Sequence, residues 1–78
     1  MTLKIISAEA ILFEGEAKSV TLPGAMGSFM VLDHHASLIS TLNAGNIVYV
    51  TADGQEHTDH IGGGLVDVDN NVVSVCLY

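Results

Sequence analysis

Hydrophobic and polar residues alternate with a period of two, or form short apolar runs, along most of the chain. β-branched residues are abundant, and no window of helical length places its apolar residues on one helical face. This pattern predicts short β-strands and no helix. The predicted strands are Leu3–Ser7, Ala10–Glu14, Ala17–Leu22, Ser28–Leu32, Leu38–Leu42, Ile47–Thr51, Gln55–Ile61, Leu65–Val68 and Val72–Leu77.

Residues that are typical of turns separate these segments. Gly15 predicts a bulge or bend between the second and third segments. Pro23-Gly24 predicts a turn because proline presets φ and glycine accepts a positive φ. Asn43-Ala44-Gly45-Asn46 and Asp53-Gly54 predict two further turns, and Asp69-Asn70-Asn71 predicts the turn of the last hairpin.

Length and composition limit the architecture. Short strands separated by turns predict a single all-β domain, residues 1–78, folded as a sandwich or a barrel. A chain of this size buries only about 60% of its unfolded surface, so we expect a partner to supply part of its stability. The mean hydropathy is +0.47, but no apolar run approaches the roughly 18 residues that cross a bilayer. The single cysteine, Cys76, excludes an internal disulfide and favours a reducing compartment.

The net charge of −7 narrows the choice of partners. Lys4 and Lys18 are the only full cations, and there is no arginine. Nucleic acid and anionic lipid are therefore poor partners, because neutralising phosphates requires several cationic side chains. A basic protein surface would complement the charge, although simple solubility explains it equally well.

Four histidines are the best candidates for metal chemistry. His34 and His35 are adjacent, whereas His57 and His60 flank Asp59. A zinc or iron site needs about three converging ligands, and neighbouring residues on a strand point to opposite faces. We therefore expect no metal and no cofactor, with the histidines in partner contacts or solvated loops. A small histidine-bearing, metal-binding β-barrel is the alternative.

Other catalytic patterns are weaker, and the sequence predicts no catalytic residue. There is no Gly-x-Ser-x-Gly motif, and Cys76 is expected to fill core space in an alternating strand. Asp67 and Asp69 fall on one strand face, where solvation explains them. The run Gly62–Gly64 lacks the helix that a phosphate cradle needs, so close backbone approach is its expected role.

Five short motifs occur in a characteristic order and spacing. They are Leu12-Phe13-Glu14-Gly15-Glu16, Gly24-Ala25-Met26-Gly27-Ser28-Phe29, His35-Ala36-Ser37-Leu38, Gly45-Asn46-Ile47-Val48-Tyr49 and Gly63-Gly64-Leu65-Val66-Asp67-Val68. In this order they resemble the N-terminal β-domain of the epsilon subunit of F-type ATP synthases, and the resemblance covers essentially the whole chain.

The resemblance implies a β-sandwich of about ten short strands, in two packed and mostly antiparallel sheets. The fold expected for these residues has no C-terminal helices. It also implies a non-catalytic subunit of the rotating central stalk. Such a subunit links the gamma subunit to the membrane c-ring and couples ion transport to ATP synthesis. The implied location is peripheral, at the cytoplasmic face of the bacterial inner membrane, without direct membrane insertion. A generic β-sandwich interaction module is a further alternative.

Site residues follow from the same resemblance. The loop Ala25, Met26, Gly27 and Ser28 matches the loop of the family that contacts the c-ring. On sequence alone, an ordinary hairpin turn is the simpler interpretation of that segment. The resemblance places His35, Ser40 and Thr41 at or near the contact with the gamma subunit, and it implies no cofactor in this domain.

Two features depart from the family pattern. Family members usually continue into a pair of C-terminal helices that can inhibit ATP hydrolysis and, in some, bind ATP. We expect neither property from these residues, which end at Tyr78. The segment His57-Thr58-Asp59-His60 is polar where the family strand is apolar, so one sheet edge is expected to differ. Ser37 stands where proline is usual.

Overall fold

A computed structural model describes all of residues 1–78 and contains only strands and connecting turns. The strands are β1 (Thr2–Ile6), β2 (Ile11–Gly24), β3 (Gly27–Leu32), β4 (Leu38–Leu42), β5 (Gly45–Thr51), β6 (Glu56–Ile61), β7 (Gly64–Asp69) and β8 (Val72–Leu77). The predicted all-β class is confirmed. No helix in the chain has the length and apolar character needed to cross a membrane.

The strand β2 accounts for the main difference from the predicted strand count. The two segments expected on either side of Gly15 form one strand of 14 residues, so the nine predicted segments become eight strands. The resemblance implied about ten. Gly15 lies within the ladder, opposite Leu3 of β1. The irregularity falls later, between Ala17 and Ser19, where the register with β5 shifts.

The sheet folds into two layers that share β2. One layer, here called the β1 layer, contains β4, β7, β8, β1 and the first half of β2. The other, the β5 layer, contains β3, the second half of β2, β5 and β6. All pairs are antiparallel except β1 with β8. The shortest dimension of the molecule, 18 Å, accommodates two sheets that pack about 10 Å apart.

The core lies between the layers and forms one cluster of 15 buried residues. It exists because alternate residues of each strand point inward. In β7, Val66 and Val68 are buried while Asp67 and Asp69 are exposed, as the alternation predicts. The largest fully buried side chains are those of Leu3, Ile5, Leu22, Ile47, Val20, Val31, Val66, Val68, Val73 and Val75.

The prediction for Cys76 is wrong. Its side chain is exposed, because Val73 and Val75 take the inward positions of β8 and the next residue must point outward. The segment does alternate, and Cys76 lies on its outward face.

The predicted turn at Pro23-Gly24 is also wrong. Both residues belong to β2, and the turn is formed by Ala25 and Met26, with Gly24 opposite Gly27. Gly27 supplies the positive φ, +125°, that closes this hairpin. Gly24 is needed for space, because a Cβ atom there would lie 2.7 Å from the Phe29 ring.

The remaining turns follow the prediction more closely. Asn70 and Asn71 both adopt a positive φ, 49° and 61°, which suits the tight hairpin between β7 and β8. The turn between β4 and β5 is shorter than predicted, since Gly45 and Asn46 are already part of β5. A Cβ atom on Gly64 would lie 2.4 Å from the carbonyl oxygen of Cys76, so the glycine run does allow close backbone approach.

Candidate interaction surfaces

The hairpin between β2 and β3 forms an exposed tip. Met26 is fully exposed at 101%, and Ala25, Gly27 and Ser28 are also exposed. The structure therefore brings the four predicted ring-contact residues together at one hairpin end. The tip consists of small side chains around one flexible thioether, and such a surface adapts readily to a partner.

The base of this hairpin is fixed to the end of β4. The amide of Ala25 donates to the carbonyl of Thr41 over 3.0 Å, and the amide of Asn43 donates to the carbonyl of Pro23 over 2.8 Å. Gly24 pairs with Leu42 between these two hydrogen bonds. A residue predicted to contact the gamma subunit, Thr41, is thus bonded directly to the predicted ring contact.

The three predicted gamma-contact residues do not share one face. Thr41 is exposed on the outer face of β4, whereas Ser40 is half-buried on the inner side. The hydroxyl of Ser40 donates to the carbonyl of Thr41 over 3.0 Å. His35 lies in the exposed loop between β3 and β4, at the opposite end of β3 from the hairpin tip, with its Nδ1 2.7 Å from the carbonyl oxygen of Ala36.

The outer face of the β1 layer carries a row of mostly apolar side chains that sequence reasoning missed. Strand register aligns this row across all five strands of the layer. Its members, in strand order, are Thr41, Leu65, Cys76, Ile6 and Ile11. The alternation within each strand indicates which residue points outward. It does not indicate that these residues form a row, because the row depends on the register between strands and on the parallel pairing of β1 with β8.

An open depression of about 440 Å³ lies next to this row, between β4 and β7. Ile39 borders it and is 70% exposed, which is unusual for an isoleucine. Asp67 and Asp69 border it from β7, and the Ser37 hydroxyl donates to Oδ1 of Asp69 over 2.8 Å. The depression thus combines an apolar wall with two carboxylates.

No three side chains among the histidines, cysteine and carboxylates converge on a point where they could hold a metal ion. His57 stacks on Tyr49, with ring centroids 5.1 Å apart and an interplanar angle of 16°. The Nδ1 of His60 lies 3.0 Å from Oδ1 of Asn46. His34 adopts a left-handed conformation, with φ 62°, in the loop after β3. The strand β6, which contains the polar segment, lies at an edge of the sheet. Charged side chains on an edge strand discourage pairing with strands of other molecules.

The strongest charge interaction joins the N-terminus to the β1 layer and to the loop after β3. The Met1 ammonium donates to Oδ1 of Asp33 over 2.5 Å and to the carbonyl of Ala17 over 3.2 Å, and it lies 3.6 Å from Oε2 of Glu16. The hydrogen bond to Asp33 raises the pKa of the Met1 amine, and the same bond lowers the pKa of Asp33.

Two further pKa shifts occur around β5. Burial is the main cause of the raised pKa of Tyr49, whose hydroxyl donates to Oδ2 of Asp59 over 3.3 Å. A hydrogen bond from the Thr51 hydroxyl lowers the pKa of Asp53. Both groups are part of local hydrogen bonding at the β5–β6 hairpin, at a distance from the tip of the β2–β3 hairpin.

Residues 1–77 match the family model for the β-sandwich domain of the ATP synthase delta/epsilon chain. The chain belongs to this family. The delta/epsilon family assignment confirms the sandwich architecture and the resemblance found in the sequence motifs.

Relatives in the delta/epsilon family are similar along nearly the whole chain. The ATP synthase epsilon chain of Bordetella petrii is 40% identical over 75 residues, which cover 96% of this chain and 53% of the relative. That of Sulfurovum sp. is 45% identical over 69 residues, covering 88% and 54%. That of Wolinella succinogenes is 43% identical over 75 residues, covering 96% and 57%. The chain thus spans about half the length of the curated relatives it matches.

Two solved structures share the fold of this delta/epsilon family member. A chain of the Euglena gracilis mitochondrial ATP synthase, in a structure of OSCP, F1 and c-ring, superposes with a TM-score of 0.90 at 21% identity. The match covers 96% of this chain and 48% of that one. A chain of the Tetrahymena thermophila mitochondrial ATP synthase central stalk and c-ring superposes with a TM-score of 0.80 at 14% identity, covering 99% and 62%.

Proposed function

We propose that this chain is the β-sandwich domain of an F-type ATP synthase epsilon subunit, acting in the rotating central stalk between the gamma subunit and the c-ring. The family match over residues 1–77 is the observation that carries this proposal. In this role the domain works by binding its neighbours and performs no catalysis itself. It thereby couples ion transport through the ring to ATP synthesis.

The hairpin tip is the proposed contact with the c-ring. Met26 projects fully into solvent, and its neighbours Ala25, Gly27 and Ser28 are small enough to let the backbone approach a partner. A methionine side chain makes adaptable apolar contacts, while the Ser28 hydroxyl and the backbone groups supply hydrogen bonds to polar loops. These properties support an interface in which the tip meets the polar loops of the ring.

The outer face of β4 is the proposed contact with the gamma subunit. Thr41 and the strongly exposed Ile39 point outward there, and Leu65 of β7 pairs with Thr41 on the same face. His35 extends this surface into the loop before β4. Ser40 lies on the inner side of the strand, so we propose that it holds the strand end through its hydrogen bond to the Thr41 carbonyl.

We also propose a location that is consistent with these two contacts. The domain is peripheral to the membrane, at the cytoplasmic face of a bacterial inner membrane, and it reaches the membrane through the ring. Its net charge of −7 supports this arrangement, since an acidic surface is repelled by anionic headgroups and suits protein partners with basic surfaces.

Copurification of the full-length subunit with the gamma subunit tests this proposal. An Ile39→Asp substitution buries a charge in the interface and is expected to weaken gamma binding at least tenfold, or roughly 1.4 kcal/mol. Thr58→Asp is the matched control, because Thr58 is an exposed residue on β6 in the other layer. Failure of the unmodified subunit to bind gamma would overturn the proposal. Equal binding by the two variants would remove only the β4 assignment.

A further inference from the structure

We propose that the turn between β4 and β5, Asn43-Ala44, is a second contact to the same partner as the tip of the β2–β3 hairpin. The two turns together form what we call the two-turn platform, made of Ala25, Met26, Asn43 and Ala44. This inference rests on the proposed function, which assigns the tip to the c-ring. It adds Asn43 and Ala44, which lie outside the five motifs that carry the family resemblance.

Hydrogen bonds hold the two turns side by side. The amide of Ala25 donates to the carbonyl of Thr41, and the amide of Asn43 donates to the carbonyl of Pro23, over 3.0 and 2.8 Å. With Gly24 opposite Leu42 between them, the ends of β2 and β4 form a short antiparallel ladder. The two turns therefore leave the sheet about 4.8 Å apart, the usual distance between paired strands.

Packing prevents the two turns from moving independently. A Cβ atom on Gly45 would lie 2.9 Å from Cβ of Pro23, so the proline side chain packs directly against the backbone where the second turn enters β5. The backbone of Gly24 is packed against the Phe29 ring on the other side of the hairpin. A partner that binds Met26 therefore meets Ala44 on the same rigid surface.

The platform is also distinct in charge. All nine acidic residues of the chain lie outside the stretches 19–32 and 34–52, so neither turn carries a charge in a chain of net −7. All four platform residues are exposed. The Asn43 amide offers two hydrogen-bond donors and one acceptor, and Met26 and Ala44 offer apolar contact. This combination fits a polar loop of a protein partner, which is the chemistry proposed for the exposed loops of the ring.

Site-directed cross-linking in the assembled ATP synthase tests the inference. The native thiol is first removed with Cys76→Ser, and a photoactivatable maleimide is then attached to Met26→Cys, Ala44→Cys or Ala52→Cys. Ala52 is a matched control, since it is an exposed alanine in the turn at the other end of β5. We expect positions 26 and 44 to cross-link to the ring subunit and position 52 not to do so.

The outcomes separate this inference from the proposal on which it depends. Cross-linking to the ring subunit from position 26 alone would overturn the two-turn platform and leave the tip assignment in place. Cross-linking of position 44 to the gamma subunit would have the same consequence. Absence of ring products from both positions would overturn the tip assignment as well. In a second measurement, Ala44→Asp is expected to lower coupled ATP synthesis in membrane vesicles at least severalfold, while Ala52→Asp leaves it unchanged. Equal coupling in these two variants would also contradict the inference.

Discussion

The α-amine of Met1 lies 2.5 Å from Oδ1 of Asp33, and this contact ties the start of β1 to the loop that follows β3. The two residues are far apart in sequence, and the Met1 side chain is almost completely buried while the Asp33 side chain remains exposed. Neighbouring hydrogen bonds of His34 and Thr2 to Asn71 bring the β7–β8 turn to the same place. One end of the sandwich is therefore closed around the N-terminus.

The Met1–Asp33 contact makes stability depend on pH at both extremes. The pKa of the Met1 amine is raised above 8.0, so its contribution is complete below about pH 8 and is lost as the pH rises through the raised pKa. The pKa of Asp33 is lowered below 3.8, so its contribution is complete above pH 3.8 and is lost as the pH falls through the lowered pKa.

We expect Asp33→Asn to reduce the free energy of unfolding at neutral pH and to weaken its dependence on pH at both the acidic and the alkaline extreme. Urea denaturation midpoints measured across the pH range test this. Asp67→Asn, on the outer face of β7, is the control, and this variant should still lose stability as the pH rises.

The glycine run offers a matched pair of substitutions. Gly64→Ala places a Cβ atom 2.4 Å from the carbonyl oxygen of Cys76. Neither atom can move away by a side-chain rotation, so the β7–β8 ladder must shift. We expect a loss of about 2 kcal/mol in the free energy of unfolding. Gly62→Ala meets nothing within 4 Å and should change stability by less than about 0.5 kcal/mol. Chemical denaturation of both variants checks this, and equal losses would contradict the packing described for Gly64.

A single cavity in the core is expected to lower the stability of the domain substantially. Leu22 is fully buried, and Leu22→Ala is expected to lower the free energy of unfolding by about 3 kcal/mol. A core of this size supplies only about 3–5 kcal/mol, so a substantial fraction of the variant is expected to be unfolded. Leu12→Ala makes the same chemical change at a residue that is 56% exposed, and it should leave the melting temperature nearly unchanged. Circular dichroism melts of the two variants distinguish these outcomes.

The tip should be important for function but not for folding. Because Met26 is fully exposed in a two-residue turn, Met26→Asp is expected to change the melting temperature little. The same change places a charge in the proposed ring interface, so coupled ATP synthesis in reconstituted vesicles should fall severalfold. Unchanged coupling would count against the tip as a ring contact, and a large loss of stability would show that the turn has a structural role.

The sequence was sufficient to predict the local features of the fold. Alternation and β-branched residues locate the segments, and Asn70-Asn71 identifies the last hairpin because a tight turn favours residues that tolerate a positive φ. It misplaced the first hairpin turn because Pro23 is a strong local turn signal, whereas the ladder of β2 with β3 continues past it. It also divided β2 at Gly15, since a glycine within a strand resembles a break.

The proposed contact surfaces are harder to predict because they depend on register between distant strands. The motif order located the tip residues, and the structure places them together at one exposed hairpin end. The pairing of Thr41 with Leu65, and of Ile6 with Cys76, has no local signal in the sequence. The same limit explains the error at Cys76, where alternation defines two faces but does not say which one meets the core.

The shared strand β2 has a mechanical consequence. Its first half is bonded to β1 and its second half to β3 and β5, so a force applied at the Ala25-Met26 turn passes along one covalent backbone into both layers. Sliding one layer over the other would require breaking ladder hydrogen bonds on both sides of this strand at once. We therefore expect the domain to resist shear between its layers as a single body.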